Sequence, residues 1–163
     1  WKILVDSEEA EVDFHMWLPI TQFLYGETTF VRPDPNVTIC EPGNSRRAIS
    51  LSAYDPADGA LCLQASRGFT PSGIVKPDVT APGVRLYGPL PKNNYGSMTG
   101  TGVAAALTTG IAALYMQQYS NFVISGNSVR ELLIRGADQR GEGYPNREWG
   151  YGTVNAFESI FYE

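Results

Sequence analysis

The residues with the types and spacing for covalent chemistry lie in one stretch, Tyr95-Gly-Ser-Met-Thr-Gly-Thr-Gly-Val-Ala-Ala-Ala-Leu-Thr-Thr-Gly-Ile-Ala-Ala-Leu-Tyr-Met116. Three hydroxyls, Ser97, Thr99 and Thr101, alternate with glycines at the entry to an apolar run. From Val103 to Met116 the residues are small or apolar apart from Thr108 and Thr109. That composition predicts a helix buried on every side rather than an amphipathic surface helix. It is too short to span a bilayer, which takes about 20 residues. A helix entered through Thr99-Gly-Thr-Gly102 presents free backbone N–H groups and a positive dipole end at Gly102 and Val103. Such an end suits an oxyanion or a nucleophile, and it equally suits a core helix with a tight entry turn.

Other chemistry-bearing residues are sparse. His15 is the single histidine; it stands on a predicted strand with no acidic or histidine partner at catalytic or metal-ligand spacing, which marks it as structural. Asp78, in a Pro-Asp turn, is expected to cap nearby backbone N–H groups, since the further oxygen donors of a metal site are not apparent. Cys40 and Cys62 lie in unrelated apolar stretches and read as buried free thiols or, alternatively, one disulfide. Neither a metal nor a cofactor is indicated.

Two segments carry a family resemblance. Thr99-Gly100-Thr101-Gly102-Val103-Ala104-Ala105-Ala106 resembles the serine motif of the subtilisin-like serine proteases, Ser-Gly-Thr-Ser-Met-Ala followed by Ala or Ser and Pro. Upstream, Lys76-Pro77-Asp78-Val79-Thr80-Ala81-Pro82-Gly83-Val84 is similar to that family's Lys-Pro-Asp-Val-x-Ala-Pro-Gly-Val segment. By the resemblance, the nucleophile position falls on Gly102, next to Thr101. An acyl-enzyme needs a side-chain oxygen or sulfur within reach of a base, and glycine has neither. Loss of the serine of such a triad costs about a million-fold in turnover. Ser97, Thr99 and Thr101 would sit in the entry turn, and a misplacement of ~1 Å already costs ~100-fold. The family's Asp and His motifs do not occur in these residues, so the resemblance puts them, with the oxyanion asparagine, upstream of Trp1.

The elements that must position this stretch follow from length and pattern. The chain has 163 residues, 43% hydrophobic and 18% charged, enough for one ordinary globular domain. A net charge of −5 argues against nucleic acid as a partner, and no membrane span is predicted. Trp1-Lys-Ile-Leu-Val5 and the alternating Val12-Asp-Phe-His-Met-Trp-Leu18 predict strands, joined by an acidic turn over 6–11. Trp1 is not an initiator methionine and opens inside a predicted strand, so the sequence reads as a fragment or processed piece. Three prolines exclude a helix or central strand for most of 30–43. Strands are predicted over 48–53 and 60–65. After the central helix, Asn127 or Ser128 is expected to cap a helix, with Glu131 completing a capping box and Gly136 ending it. The glycine and aromatic residues of 141–152 read as a packing device, and Val154–Phe161 as a final helix packing Phe157, Ile160 and Phe161 inward.

The succession Phe-His-Met-Trp-Leu-Pro, Glu-Thr-Thr-Phe, Pro-Asp-Pro-Asn, Glu-Pro-Gly, Ile-Ser-Leu-Ser-Ala-Tyr and Ser-Arg-Gly-Phe-Thr is similar to the Csp branch, subtilisin-like proteins of clostridial spores. Leu132-Leu-Ile-Arg-Gly-Ala137 and Tyr144-Pro-Asn-Arg-Glu-Trp-Gly-Tyr-Gly152 resemble its ending, and Ala106 also fits. The resemblance implies an α/β fold: residues 1–30 as the end of a jelly-roll β insertion, and 31–163 as the C-terminal part of a subtilase-like domain with a parallel sheet and buried central helix. It implies a catalytically inactive pseudoprotease of spore germination, closest to the branch's pseudoprotease members and located between coat and cortex. The implied partners are the upstream part of the same protein with its prodomain, other Csp proteins, and a small germinant. The alternative is an active endopeptidase, processing a cortex-hydrolase zymogen, whose nucleophile has been changed to glycine.

Overall fold

The computed structural model describes residues 3–8 and 11–161. It divides into two compact units, Trp1–Pro33 and Asp34–Glu163.

In the first unit the described residues form one short 3-10 turn, Thr21–Phe23, and no strand. Trp1 and Lys2 of the first expected strand, and Glu9 and Ala10 of the acidic turn, lie outside the described residues. Val12, Phe14, Met16 and Leu18 alternate as expected of a strand, yet all are exposed, at 47%, 57%, 39% and 36%. An alternating segment becomes a strand only when another strand takes up its backbone groups. Among the described residues of this unit there is none.

The second unit is built on a parallel pair, β1 (Leu51–Tyr54) and β2 (Val79–Pro82), in register Leu51↔Val79 through Tyr54↔Pro82. The Gly152–Val154 run lies along the other side of β2, with Thr80 N donating to Gly152 O and Val154 N to Thr80 O, both at 2.8 Å. A parallel pair needs a crossover and cover on its faces. Helix α1 (Thr101–Gln118) supplies cover, with α2 (Gly126–Arg135) and α3 (Ala156–Phe161) behind it. One core cluster joins Ala53, Cys62, Ala65, Ala81 and Ala104; the other joins Val79, Ile111, Val129, Leu133 and Ile160. Full burial of one such branched side chain contributes roughly 1.5–3 kcal/mol. An antiparallel hairpin, β3 (Leu86–Leu90) and β4 (Asn94–Met98), leads directly into α1.

Several expectations are corrected. The first strand is shorter than 48–53, and 60–65 forms only a bridge from Leu61 to Tyr54 before turning, Ala65 N bonding Cys62 O at 3.0 Å. Burial on α1 follows one face, Ala104, Thr108 and Ile111, while Leu114 and Met116 stand more than half exposed at 55% and 51%. A helix without a polar side does not encode which of its faces is covered. The second helix is capped two or three residues earlier than expected: Ser125 Oγ accepts from Ser128 N at 3.1 Å. The C-cap is Gly136, as expected. In α3, Ile160 is buried but Phe157 and Phe161 are exposed, their rings in tilted contact with centroids 5.3 Å apart. Of the cysteines, both free, Cys62 is buried and Cys40 is exposed.

Candidate functional site

The site is the entry to α1. Gly100, in the positive-φ region at 149°, precedes the helix and offers no side-chain cap. Its N–H donates to Gly83 O at 2.8 Å, and Gly83 N donates to Tyr54 O at 2.9 Å, so the entry turn is tied to the ends of both strands. The approach is close enough to require glycine: a Cβ on Gly83 would meet Ala53 Cβ at 2.7 Å and Gly100 O at 2.9 Å.

The hydroxyls of the entry are placed apart from one another. Thr99 Oγ1 accepts from Arg85 N at 2.9 Å, and the Arg85 guanidinium pairs with the buried Asp55 carboxylate. Ser97 sits on β4 opposite Tyr87, exposed. Thr101 begins α1 and, with Gly102, lines a cavity of about 360 Å³ shared with Ile39, Gly43, Ser50 and Gln64. Val103 N and Ala104 N both bond to Gly100 O, at 3.1 and 3.4 Å. The N–H groups of Thr101 and Gly102 stand ahead of the helical ladder, where a helix has no internal partners for them.

Gly102 is exposed, and a Cβ built on it meets nothing within 4 Å. Its φ is not positive, so neither backbone nor neighbours require glycine here. The arrangement can hold an oxygen at the helix start, but Gly102 itself brings no nucleophile. His15 belongs to the first unit, exposed and stacked on Trp17 at 5.5 Å. Among the described residues no three His, Cys, Asp or Glu side chains converge to hold a metal ion, and no helix is long and apolar enough to cross a membrane.

Beneath the cavity lies a buried ionic knot, and it corrects the reading of Asp78 as a local cap. Asp78 accepts from Ser50 N at 2.8 Å, a residue distant in sequence, from Lys76 Nζ at 2.6 Å and from Arg130 Nε at 2.5 Å. Lys76 Nζ also donates to Ala48 O at 2.5 Å. The knot thus ties α2 and the segment ahead of β1 to the Lys-Pro-Asp turn, and Ala48, Ser50 and Pro77 of that region line the cavity.

The glycine and aromatic loop closes the core. Gly150 has φ 60°, and a Cβ there would lie 2.1 Å from Pro77 O. Trp149 packs on Tyr54 at 5.9 Å between ring centroids, and Tyr144 meets Tyr151 edge-on at 5.8 Å. Burial, and to a lesser degree the neighbouring Tyr151, holds the Tyr144 phenol above its ordinary pKa.

A comparison with known families places this geometry. The profile of the peptidase S8, Subtilase family matches residues 29–152, from ahead of the proline-rich segment to the end of the glycine and aromatic loop. The chain belongs to the subtilase family. Among this subtilase's relatives, the serine protease AprX of Bacillus subtilis is 36% identical over 143 residues, 76% of this chain and 32% of AprX. Subtilisin DY of Bacillus licheniformis is 32% identical over 127 residues, 73% of this chain and 44% of that protein. Among solved structures, the CspB protease of Clostridium perfringens superposes with a TM-score of 0.75 at 28% identity, covering 82% of this chain and 30% of that one. This subtilase chain therefore spans less than half the length of these relatives. Its α/β architecture, a parallel sheet with α1 against it, is that of the C-terminal half of a subtilisin-like domain.

Sequence reasoning missed two parts of the site. The β3–β4 hairpin that feeds α1 had a signal in Lys92-Asn93, both of which take positive φ at the turn. The ionic knot had a signal in Lys76 and Asp78, two charges within an otherwise apolar run, which need each other if that run is buried.

Proposed function

We propose that this subtilase is a pseudoprotease, one that binds or signals in bacterial spore germination and does not cut peptides. The observation that carries the reading is Gly102, exposed in the first turn of α1, at the position the serine motif gives to the nucleophile. Thr101 beside it begins α1 and lines the cavity, and Thr99 stands ahead of the helix with its hydroxyl accepting from Arg85 N, so neither occupies the motif's nucleophile position. What remains at the helix start are backbone donors and an apolar recess, which suit binding. The likeness to the CspB protease supports a role within the Csp branch, with another Csp protein or a small germinant as the partner, the rest of the subtilase domain and its prodomain alongside, and the spore between coat and cortex as the location. Two tests address the two halves of the reading. The purified unaltered protein hydrolyses neither casein nor fluorogenic peptides; specific turnover abolished by a serine-protease inhibitor contradicts inactivity. Spores of the source bacterium that lack the gene germinate abnormally; unchanged germination contradicts the signalling role.

A second reading is favoured by a separate observation. A Cβ added at Gly102 meets no neighbour within 4 Å, so the position is open to a residue with a side chain. A subtilase endopeptidase whose nucleophile has been replaced by glycine would present the same geometry, and restoring the serine would restore its turnover.

A further inference from the structure

The ionic knot carries an inference that does not depend on whether Gly102 is inert. Two cations, Lys76 and Arg130, meet one carboxylate, Asp78, so the knot holds one positive charge in surplus. Both Asp78 oxygens are engaged, Oδ2 by Lys76 and Ser50 and Oδ1 by Arg130. Arg130 uses only Nε for this contact. Its two terminal amino groups bond no partner among the described residues, and its side chain is 27% exposed. A guanidinium tethered at Nε holds its remaining N–H groups in a fixed plane, the fork that receives an oxyanion through two parallel bonds. Arg130 lines a cavity of about 460 Å³ with Glu131, Ile134, Arg135 and Tyr151, and this cavity shares no residue with the one at the α1 entry. On α2, Arg130 and Ile134 form one row and Glu131 and Arg135 the next. Tyr151 is brought against them by its N–H, which donates to Asp78 O at 2.9 Å. Arg135, exposed in the last turn, makes no ion pair among the described residues.

We propose that this cavity binds a small molecule bearing one carboxylate and an apolar body. Three observations select that ligand. The first is charge: Glu131 offsets Arg135, which leaves the knot's single surplus charge. A monoanion matches that surplus, whereas a phosphate dianion exceeds it and meets Glu131 as well. The second is geometry: the tethered fork of Arg130 is planar, and a carboxylate presents two oxygens in one plane. The third is the wall, where the half-buried Ile134 side chain and Tyr151 ring supply apolar surface for the body of the ligand. At about 460 Å³ the cavity falls within the roughly 300–1,000 Å³ of small-molecule sites.

The probe is benzoate, titrated by calorimetry into the intact protein at low ionic strength, with benzamide as its uncharged counterpart and inorganic phosphate as the dianion. Benzoate is expected to bind one site with a Kd of about 1 mM, and benzamide and phosphate about 10-fold more weakly or less. Arg135→Gln, an exposed change that leaves the knot intact, is expected to weaken benzoate about 10-fold, and Glu131→Gln to tighten it about 3-fold by removing the opposing charge. Arg130→Lys keeps a charge beside Asp78 without the fork, and is also expected to weaken benzoate about 10-fold. No binding of benzoate up to about 20 mM overturns the assignment, as does equal affinity for benzamide. Tighter binding of phosphate than of benzoate overturns the choice of a carboxylate. Benzoate binding that none of the three substitutions alters would place the ligand elsewhere and would overturn it too. None of these readings uses catalytic activity or germination, so failure here is distinct from failure of the pseudoprotease reading.

Discussion

Lys76 Nζ lies 2.6 Å from Asp78 Oδ2, with only 1% of either side chain exposed. The pair is satisfied rather than merely neutralised: the ammonium also reaches Ala48 O, and the carboxylate also takes Ser50 N and Arg130. Removing one member leaves the other charged and dry, at a cost of about 3–5 kcal/mol. Asp78→Ala is therefore expected to lower unfolding stability by about that amount in urea titration. Arg130→Ala is expected to cost less, because its side chain is 27% exposed and its partner keeps Lys76. Equal losses for the two variants would show that the knot is not organised around Lys76.

Two glycines separate space from conformation. Gly102→Ser adds a side chain where nothing lies within 4 Å, and the change should leave stability within about 1 kcal/mol or raise it slightly, since glycine is a poor helix residue. Gly150→Ala should be strongly destabilising, by about 3 kcal/mol or more, because φ is 60° and the new carbon would fall 2.1 Å from Pro77 O. Thermal unfolding of the two variants side by side checks the contrast; similar midpoints would contradict it.

Ser125 is the N-cap of α2, its hydroxyl accepting from Ser128 N at 3.1 Å. Ser125→Ala is expected to cost about 1 kcal/mol, while Asn127→Ala, on the helix but not its cap, should cost less. Reversal of that order in urea unfolding would restore the cap expected from sequence.

The Tyr144 phenol has its pKa raised above the ordinary 10.0 by burial and by Tyr151. A raised pKa means that the folded state favours the neutral phenol. The resulting stabilisation is fully present below the unfolded value and is lost as pH rises through the folded one. Tyr144→Phe should therefore flatten part of the fall in stability above about pH 10. An unchanged alkaline limb would show that Tyr144 does not contribute.

The fold's central elements were legible where composition and motif agreed. The run from Val103 onward gave α1, and the Lys76–Val84 segment led into β2, because small residues and glycines recorded close approaches such as Gly83 on Gly100 O. Faces were less legible. Nothing in Leu107 or Leu114 distinguishes a covered side from a bare one when neither side of the helix is polar. The alternation at Val12–Leu18 encodes a capacity to pair, and pairing depends on a second strand that the segment itself does not contain. Asp78 was misread because its partners, Ser50 and Arg130, are remote in sequence; a local turn motif carries no information about them. At the site, Gly102 was legible by motif, whereas the separate engagement of Thr99 with Arg85 was not, since it depends on the β3–β4 hairpin.

The measurement that tests the central claim most directly is labelling with a fluorophosphonate probe, with AprX as the reactive standard and Gly102→Ser in parallel. The unaltered protein is expected to remain unlabelled under conditions that label AprX fully, because Gly102 brings no side-chain oxygen to the nucleophile position of α1. Labelling of the unaltered protein, lost on denaturation and mapped to Ser97, Thr99 or Thr101, would contradict the account by showing that another hydroxyl serves as the nucleophile.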